Sequence, residues 1–298
     1  PPHQSSAASD VYKRQENDTA ELKITIIGAG NTAPVARNDV GVISEDSTLT
    51  VSDGDNATET GDSGTTYNAT GEHSGDVINT SSTTHYDTDA DGDTIVVSSV
   101  RTGSVEGSGT AGTLGQALTG TYGQLTLNSN GSYTYVANQT AADALDAGDT
   151  EDDVFNYTIS DGNGGTDIGT ITITVIGIND APVAQDDVGV IAEGSTLTVA
   201  NSANANVSGS YDATGEHSGD VIDTSSSSHT DSDADASSSL SITHVKLSSG
   251  SNSTVASSSS YNSNGTSITG TYGTLTIGAD GSYTYAATTD ATDALDAG

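Results

Sequence analysis

Two stretches of the chain alternate apolar and polar residues cleanly enough to predict strands unaided. Phe155, Tyr157 and Ile159 alternate with Val154, Asn156 and Thr158, and Ile171, Ile173 and Val175 alternate with Thr170, Thr172 and Thr174. Residues two apart share a face of a strand, so each stretch presents one apolar and one polar face. The sequence SDGNGGTD between them predicts a hairpin turn. Weaker signals place strands at 40–43 and 48–51, another beginning at Ile95, Val96 and Val97, and a hairpin of 121–127 with 132–136. That hairpin turns through NSNG, where Gly131 admits left-handed geometry. Leu22, Ile24 and Ile26 alternate with Lys23 and Thr25, which predicts a strand over 21–27. AADALDAG at 141–148 predicts the single helix, about two turns, with Gly148 as its stop. Residues 52–93 are polar and rich in Gly and Ser. Irregular chain of that length in a compact domain points to a functional or metal-ordered loop.

The elements repeat. IGAGNTAPVARNDVGV at 27–42 returns as IGINDAPVAQDDVGV at 176–190; GEHSGDVI recurs at Gly71 and Gly215, GTYG at Gly120 and Gly270, ALDAG at Ala144 and Ala294. This order divides the chain into a leader with the closing strand of a preceding repeat (1–33), a complete repeat (34–182) and a second repeat (183–298) without counterparts of residues 155–176. Within the leader, SSAASDVYKRQ matches nothing later and resembles the adapter-derived tail of translated assemblies.

Composition narrows the fold class. Hydrophobic residues make up 32%, with one Phe and no Trp, Met or Cys, so Val, Ile, Leu and Tyr must build thin cores and no disulfide supports them. Many short strands suit such a chain better than helices do. The expected class is all-β: tandem β-sandwich repeats forming an extended rod. Charge narrows the partners: 41 acidic against 6 basic residues give −35, which repels nucleic acid and anionic membrane surfaces. No apolar run is long enough to span a bilayer, so no membrane insertion is expected of this segment.

GTYGQLTLNSNGSYTYVAN followed by ALDAGDTEDDVFNYTISDGNGGTDIGTITITVIGINDAP resembles the VCBS repeat of very large bacterial surface and RTX-type adhesins. The likeness covers 120–182 fully and 270–298 in part, while the preceding halves resemble cadherin-like or immunoglobulin-like extensions. It implies sandwich modules in tandem, exported by a type I system to the cell surface or medium, stiffened by Ca2+. Neighbouring repeats of the same chain would be the immediate partners, and an unknown surface receptor or glycan would be met through a distant tip. An accessory module of a secreted enzyme and a glycan-binding module are the competing functions.

Candidate ligands for the cation come from three acidic stretches. Asp87, Asp89, Asp91 and Asp93 alternate with Thr88, Ala90 and Gly92, resembling the first half of a calcium loop; Ser98 at the twelfth position excludes an EF-hand. Asp231, Asp233 and Asp235 repeat the pattern, with Ala236 in the glycine's place, which predicts a weaker site. Asn179, Asp180, Asp186 and Asp187 surround Pro182 at the junction, with Glu45 one strand away, as in cadherin-like arrays. Each stretch could equally be a solvated acidic turn. His73, His85, His217 and His229 recur beside Asp residues, but no GxSxG or HExxH context supports hydrolysis or zinc chemistry, so no enzyme activity is expected.

Overall fold

The computed structural model describes residues 21–25, 28, 30–54, 73–78, 85–202, 204–206, 217–222 and 229–287. The first unit contains β1 (Asp39–Ser44), β2 (Thr48–Val51), β3 (Val96–Thr102), β4 (Leu118–Thr119), β5 (Gln124–Leu127), β6 (Tyr133–Val136), α1 (Thr140–Asp143), β7 (Thr150–Ser160) and β8 (Thr166–Ile176). They form two four-stranded sheets, in the orders β1-β8-β7-β3 and β2-β6-β5-β4. All pairs are antiparallel except β1 with β8, where Asp39 lies opposite Ile171 and Ser44 opposite Ile176.

The alternating residues face each other across the sandwich. Phe155, Tyr157, Ile159, Ile171 and Ile173 of one sheet and Leu49, Leu125, Leu127, Tyr133 and Tyr135 of the other are fully buried. Tyr135 and Phe155 meet edge to face, ring centres 6.3 Å apart, the favoured arrangement for two quadrupoles. At Gly41 the sheets come too close for a side chain: a Cβ there would lie 2.7 Å from Ile173 Cδ1 and 2.9 Å from Leu49 Cδ2.

The second unit carries β9 (Thr196–Val199), β10 (Asn204–Asn206), β11 (His217–Gly219), β12 (His244–Val245), β13 (Ser253–Thr254), β14 (Thr266–Thr269), β15 (Thr274–Ile277) and β16 (Tyr283–Ala286). Its four-stranded sheet, β14-β15-β16-β9, reproduces the pairing of β2, β6 and β5: Leu197 lies opposite Tyr285 as Leu49 lies opposite Tyr135. A smaller core of Leu197, Val199, Val255, Ile277, Ala279 and Tyr283 supports it.

Two sequence expectations change. The helix is one turn rather than two, because the chain after Asp143 is claimed by the end of β8: Gly148 N–H donates to Gly177 O and Gly177 N–H to Asp149 O. Residues 21–25 form no strand, and Leu22 and Ile24 are about three-quarters exposed (76% and 73%). Alternation makes a strand only where a sheet edge offers backbone partners. Ile26 and Ile27 lie outside the described residues, as do Gly71, Gly215 and the second ALDAG.

Candidate metal centre at the junction between units

Each unit begins by tying its linker to its own acidic loop, and the two units do so in the same way. Val35 bridges Thr88 and Val183 bridges Ser232. Asp87 Oδ1 accepts Arg37 N–H at 2.7 Å, and Asp231 Oδ1 accepts Gln185 N–H at 2.7 Å. Asp91 Oδ2 accepts Thr32 N–H at 2.6 Å, and Asp235 Oδ2 accepts Asp180 N–H at 2.9 Å. The middle carboxylate shapes the loop: Asp89 Oδ1 takes the N–H of Asp91 at 2.8 Å and of Asp93 at 3.2 Å, and Asp233 Oδ1 that of Asp235 at 3.0 Å. Gly92 has φ +77°, which lets the first loop curl back. One carboxylate oxygen from each of Asp89, Asp91 and Asp93 lies within 4.8 Å of the others, a spacing one cation can span.

Between the units the second loop meets the base of the first. Glu45, buried at 1% exposure in the turn between β1 and β2, accepts Ile178 N–H through Oε1 at 2.6 Å. Its Oε2 and the Oδ1 of buried Asp235 have no hydrogen-bond partner, nor do Asp87 Oδ2 and Asp89 Oδ2. A buried carboxylate oxygen without a partner is costly, so something must be bound or a proton held. Burial pushes the Glu45 carboxyl up to about 7, partly offset by the Ile178 N–H, with repulsion from Asp180, Asp46 and Asp235 added. Asp180 is also raised, by burial first and then by Asp235, Asp46, Asp143 and Asp233. Asp87 is pushed up to about 7 by burial, against the Arg37 N–H, with Asp167 and Asp76 repelling it. Every charge raising Glu45 and Asp180 belongs to another carboxylate.

The remaining expected ligands divide. Asn179 lines the same cleft as Asp180, Asp233 and Asp235, while its amide donates to Asp180 O. Asp187 points into the second unit, where it accepts Ser218 Oγ–H at 2.8 Å, the place Asp39 holds beside Ser74 in the first. Asp187 has Asp231, His229 and Asp220 of its own unit as charged neighbours. Asp186 is exposed, and its backbone carbonyl meets His229 Nδ1 at 2.6 Å. His85 Nδ1 meets Asn38 O as His229 meets Asp186 O, so these histidines pin linker backbone.

Sequence reasoning passed over Asp46 and Asp143. Asp46 and Asp143 act on Asp180, and position 46 is Gly194 in the second unit, so the repeat gave no signal. SDGNGGTD, whose Asp161, Asn163 and Asp167 offer oxygen ligands but favour a tight turn, forms that turn, with Asp161 Oδ1 accepting the N–H of Asn163 at 2.7 Å and of Gly165 at 2.9 Å. It also reaches its neighbours: Asn163 Nδ2 donates to Asp93 Oδ2 at 2.8 Å and Asn31 Nδ2 to Asp161 Oδ2 at 2.7 Å.

Residues 54–177 match the family model of the bacterial cadherin-like domain. A stretch of 66 residues, 22% of the chain, is 36% identical to the calcium-binding lectin RapA2 of Rhizobium johnstonii and covers 28% of that protein's length. The family match falls within the first unit, and the nearly all-β architecture is consistent with it.

Proposed function

We propose that this chain is a calcium-stiffened segment of tandem β-sandwich repeats, carried outside a bacterial cell as the spacer of an adhesin. The observation that carries the reading is the pair of buried, unpartnered oxygens, Glu45 Oε2 and Asp235 Oδ1, on residues of different units that grip the same linker at Ile178 and Asp180. Carboxylates and backbone carbonyls are the ligands hard divalent cations take, and Ca2+ tolerates the irregular geometry such a junction offers. Binding there would join both units and the linker in one coordination sphere. The cadherin-like match and the calcium-binding relative support the same reading. Its test is calorimetric titration of the chain with Ca2+, beside Glu45→Gln and Asp235→Asn: binding weakened by either change is expected, and no binding heat in the parent chain sinks the proposal.

A glycan-binding role is the second reading. It is favoured by the lectin relative and by an open cleft of about 480 Å³ where Asp180, Asp233 and Asp235 stand beside Val183, Leu240 and Ile242. Oligosaccharide arrays probed with and without Ca2+ separate it from a purely structural role.

A further inference from the structure

The two units also touch through a contact that needs no cation. Ala144 O accepts Ala236 N–H at 3.3 Å, and Asp146 Oδ1 accepts Ser237 N–H at 2.9 Å. The Asp146 carboxyl is held below its ordinary range by the Ser237 hydroxyl first and the Ser237 N–H second. On the first unit's side this segment is rigidly placed: Leu145 is buried, Gly148 and Gly177 exchange backbone hydrogen bonds through Asp149, and a Cβ on Gly177 would lie 2.3 Å from Asp146 O. The end of β8 and the segment 144–149 therefore move as one body.

What they receive differs between units. With the Val35–Thr88 and Val183–Ser232 bridges in register, Ser237 occupies the place of Asp93. In the first unit that place holds a carboxylate bound to Asn163. An aspartate at position 237 would keep the backbone N–H bond to Asp146 but put a second carboxylate where the hydroxyl donates, adding a like-charge contact beside it.

We propose that residues 144–146 form a docking element that selects the following repeat by the residue at position 237, accepting a neutral donor and refusing an aspartate such as Asp93. The partner it fits is another repeat of this kind, and the selection operates without calcium, so it goes beyond the proposed cation site. ALDAG recurs at 294–298, so the second unit carries the sequence of the same device.

The chain has no cysteine, so Glu106→Cys and Ser251→Cys place one label on an exposed position of each unit for distance measurements. In excess EGTA, Asp146→Ala and Ser237→Asp should each lower the ratio of docked to undocked molecules about tenfold, the size of one hydrogen bond to a charged group. Asp146→Asn combined with Ser237→Asp should restore docking, because the amide donates to the new carboxylate. Asp146→Ala adds no charge and stands alone if Ser237→Asp disturbs its loop. The proposal is overturned if the single changes leave the wild-type distance distribution intact, or if the double change is no better docked than Ser237→Asp. Both comparisons are made without calcium, so a failed Ca2+ titration would sink the cation reading and leave this one standing.

Discussion

The hydroxyl of Tyr157 has more acceptors than protons. Arg37 O, Asp39 Oδ2 and Val77 O lie 2.8, 2.7 and 3.1 Å away, and one O–H serves one of them well. The arrangement closes if Asp39 is a carboxylic acid that donates to Tyr157, and burial pushes Asp39 well above the usual range, against the Tyr157 hydrogen bond. Asn can donate in the same place, so Asp39→Asn should stay within about 1 kcal/mol of the parent. Asp39→Ala, which leaves Tyr157 and Ser74 short of a partner, should cost about 1–3 kcal/mol in denaturant unfolding. Asp39, Glu45 and Asp87 all have folded values above their unfolded ones, the last two at about 7. The folded state then binds more protons than the unfolded state between about pH 4 and pH 7. Their stabilising contribution is complete below the unfolded values and is lost as pH rises through the folded ones. In EGTA, the melting temperature should therefore fall between about pH 4 and pH 7; a rise across that window would refute the assignment. Glu45→Gln should flatten part of the slope and weaken Ca2+ binding by at least about tenfold, or ~1.4 kcal/mol.

The strands most legible in the sequence obey a period of two with β-branched or aromatic residues at most inward positions, as Phe155, Tyr157 and Ile159 of β7 and Ile171, Ile173 and Val175 of β8 show. Legibility failed where a tertiary contact overrode local preference. The helix stopped after one turn because Gly177 took the backbone that a second turn needed, and residues 21–25 had the alternation without a sheet edge. The acidic loops were visible as alternating Asp, but the meeting of the second loop with Glu45 and Asp180 was not. Ala236 in place of Gly92 suggests a poorer loop, whereas Glu45 and Asp180, supplied from outside the loop, adjoin the one that has the alanine. Glycine at position 41 is a requirement of the sandwich itself: Gly41→Ala would press on Ile173 and Leu49 from both sheets. Overpacking of this kind should destabilise the first unit by about 1–3 kcal/mol in urea. An unchanged midpoint would mean that the sheets can part at no cost.

Across the whole molecule, the problem is 41 carboxylates against 6 basic side chains. Two remedies act at different ranges. Monovalent salt screens exposed charges over a Debye length of about 10 Å at 0.1 M and about 3 Å at 1 M, but it reaches buried groups poorly. A divalent cation works at contact distance, where Glu45 Oε2 and Asp235 Oδ1 are buried and lack partners. Ligand that binds only the folded form adds stability as RT ln(1 + [L]/Kd), about 2.7 kcal/mol at about 100-fold excess over Kd. Calcium at millimolar concentration should thus raise the melting temperature above its value in EGTA. NaCl at about 1 M with EGTA should recover only part of that gain, because it lowers the general repulsion without coordinating the buried oxygens. Magnesium, which demands near-ideal octahedral ligands and sheds water reluctantly, should recover less than calcium at equal concentration. Thermal melts in the four conditions decide between the remedies: if NaCl matches calcium in full, the acidic junction is a screened surface rather than a coordination site.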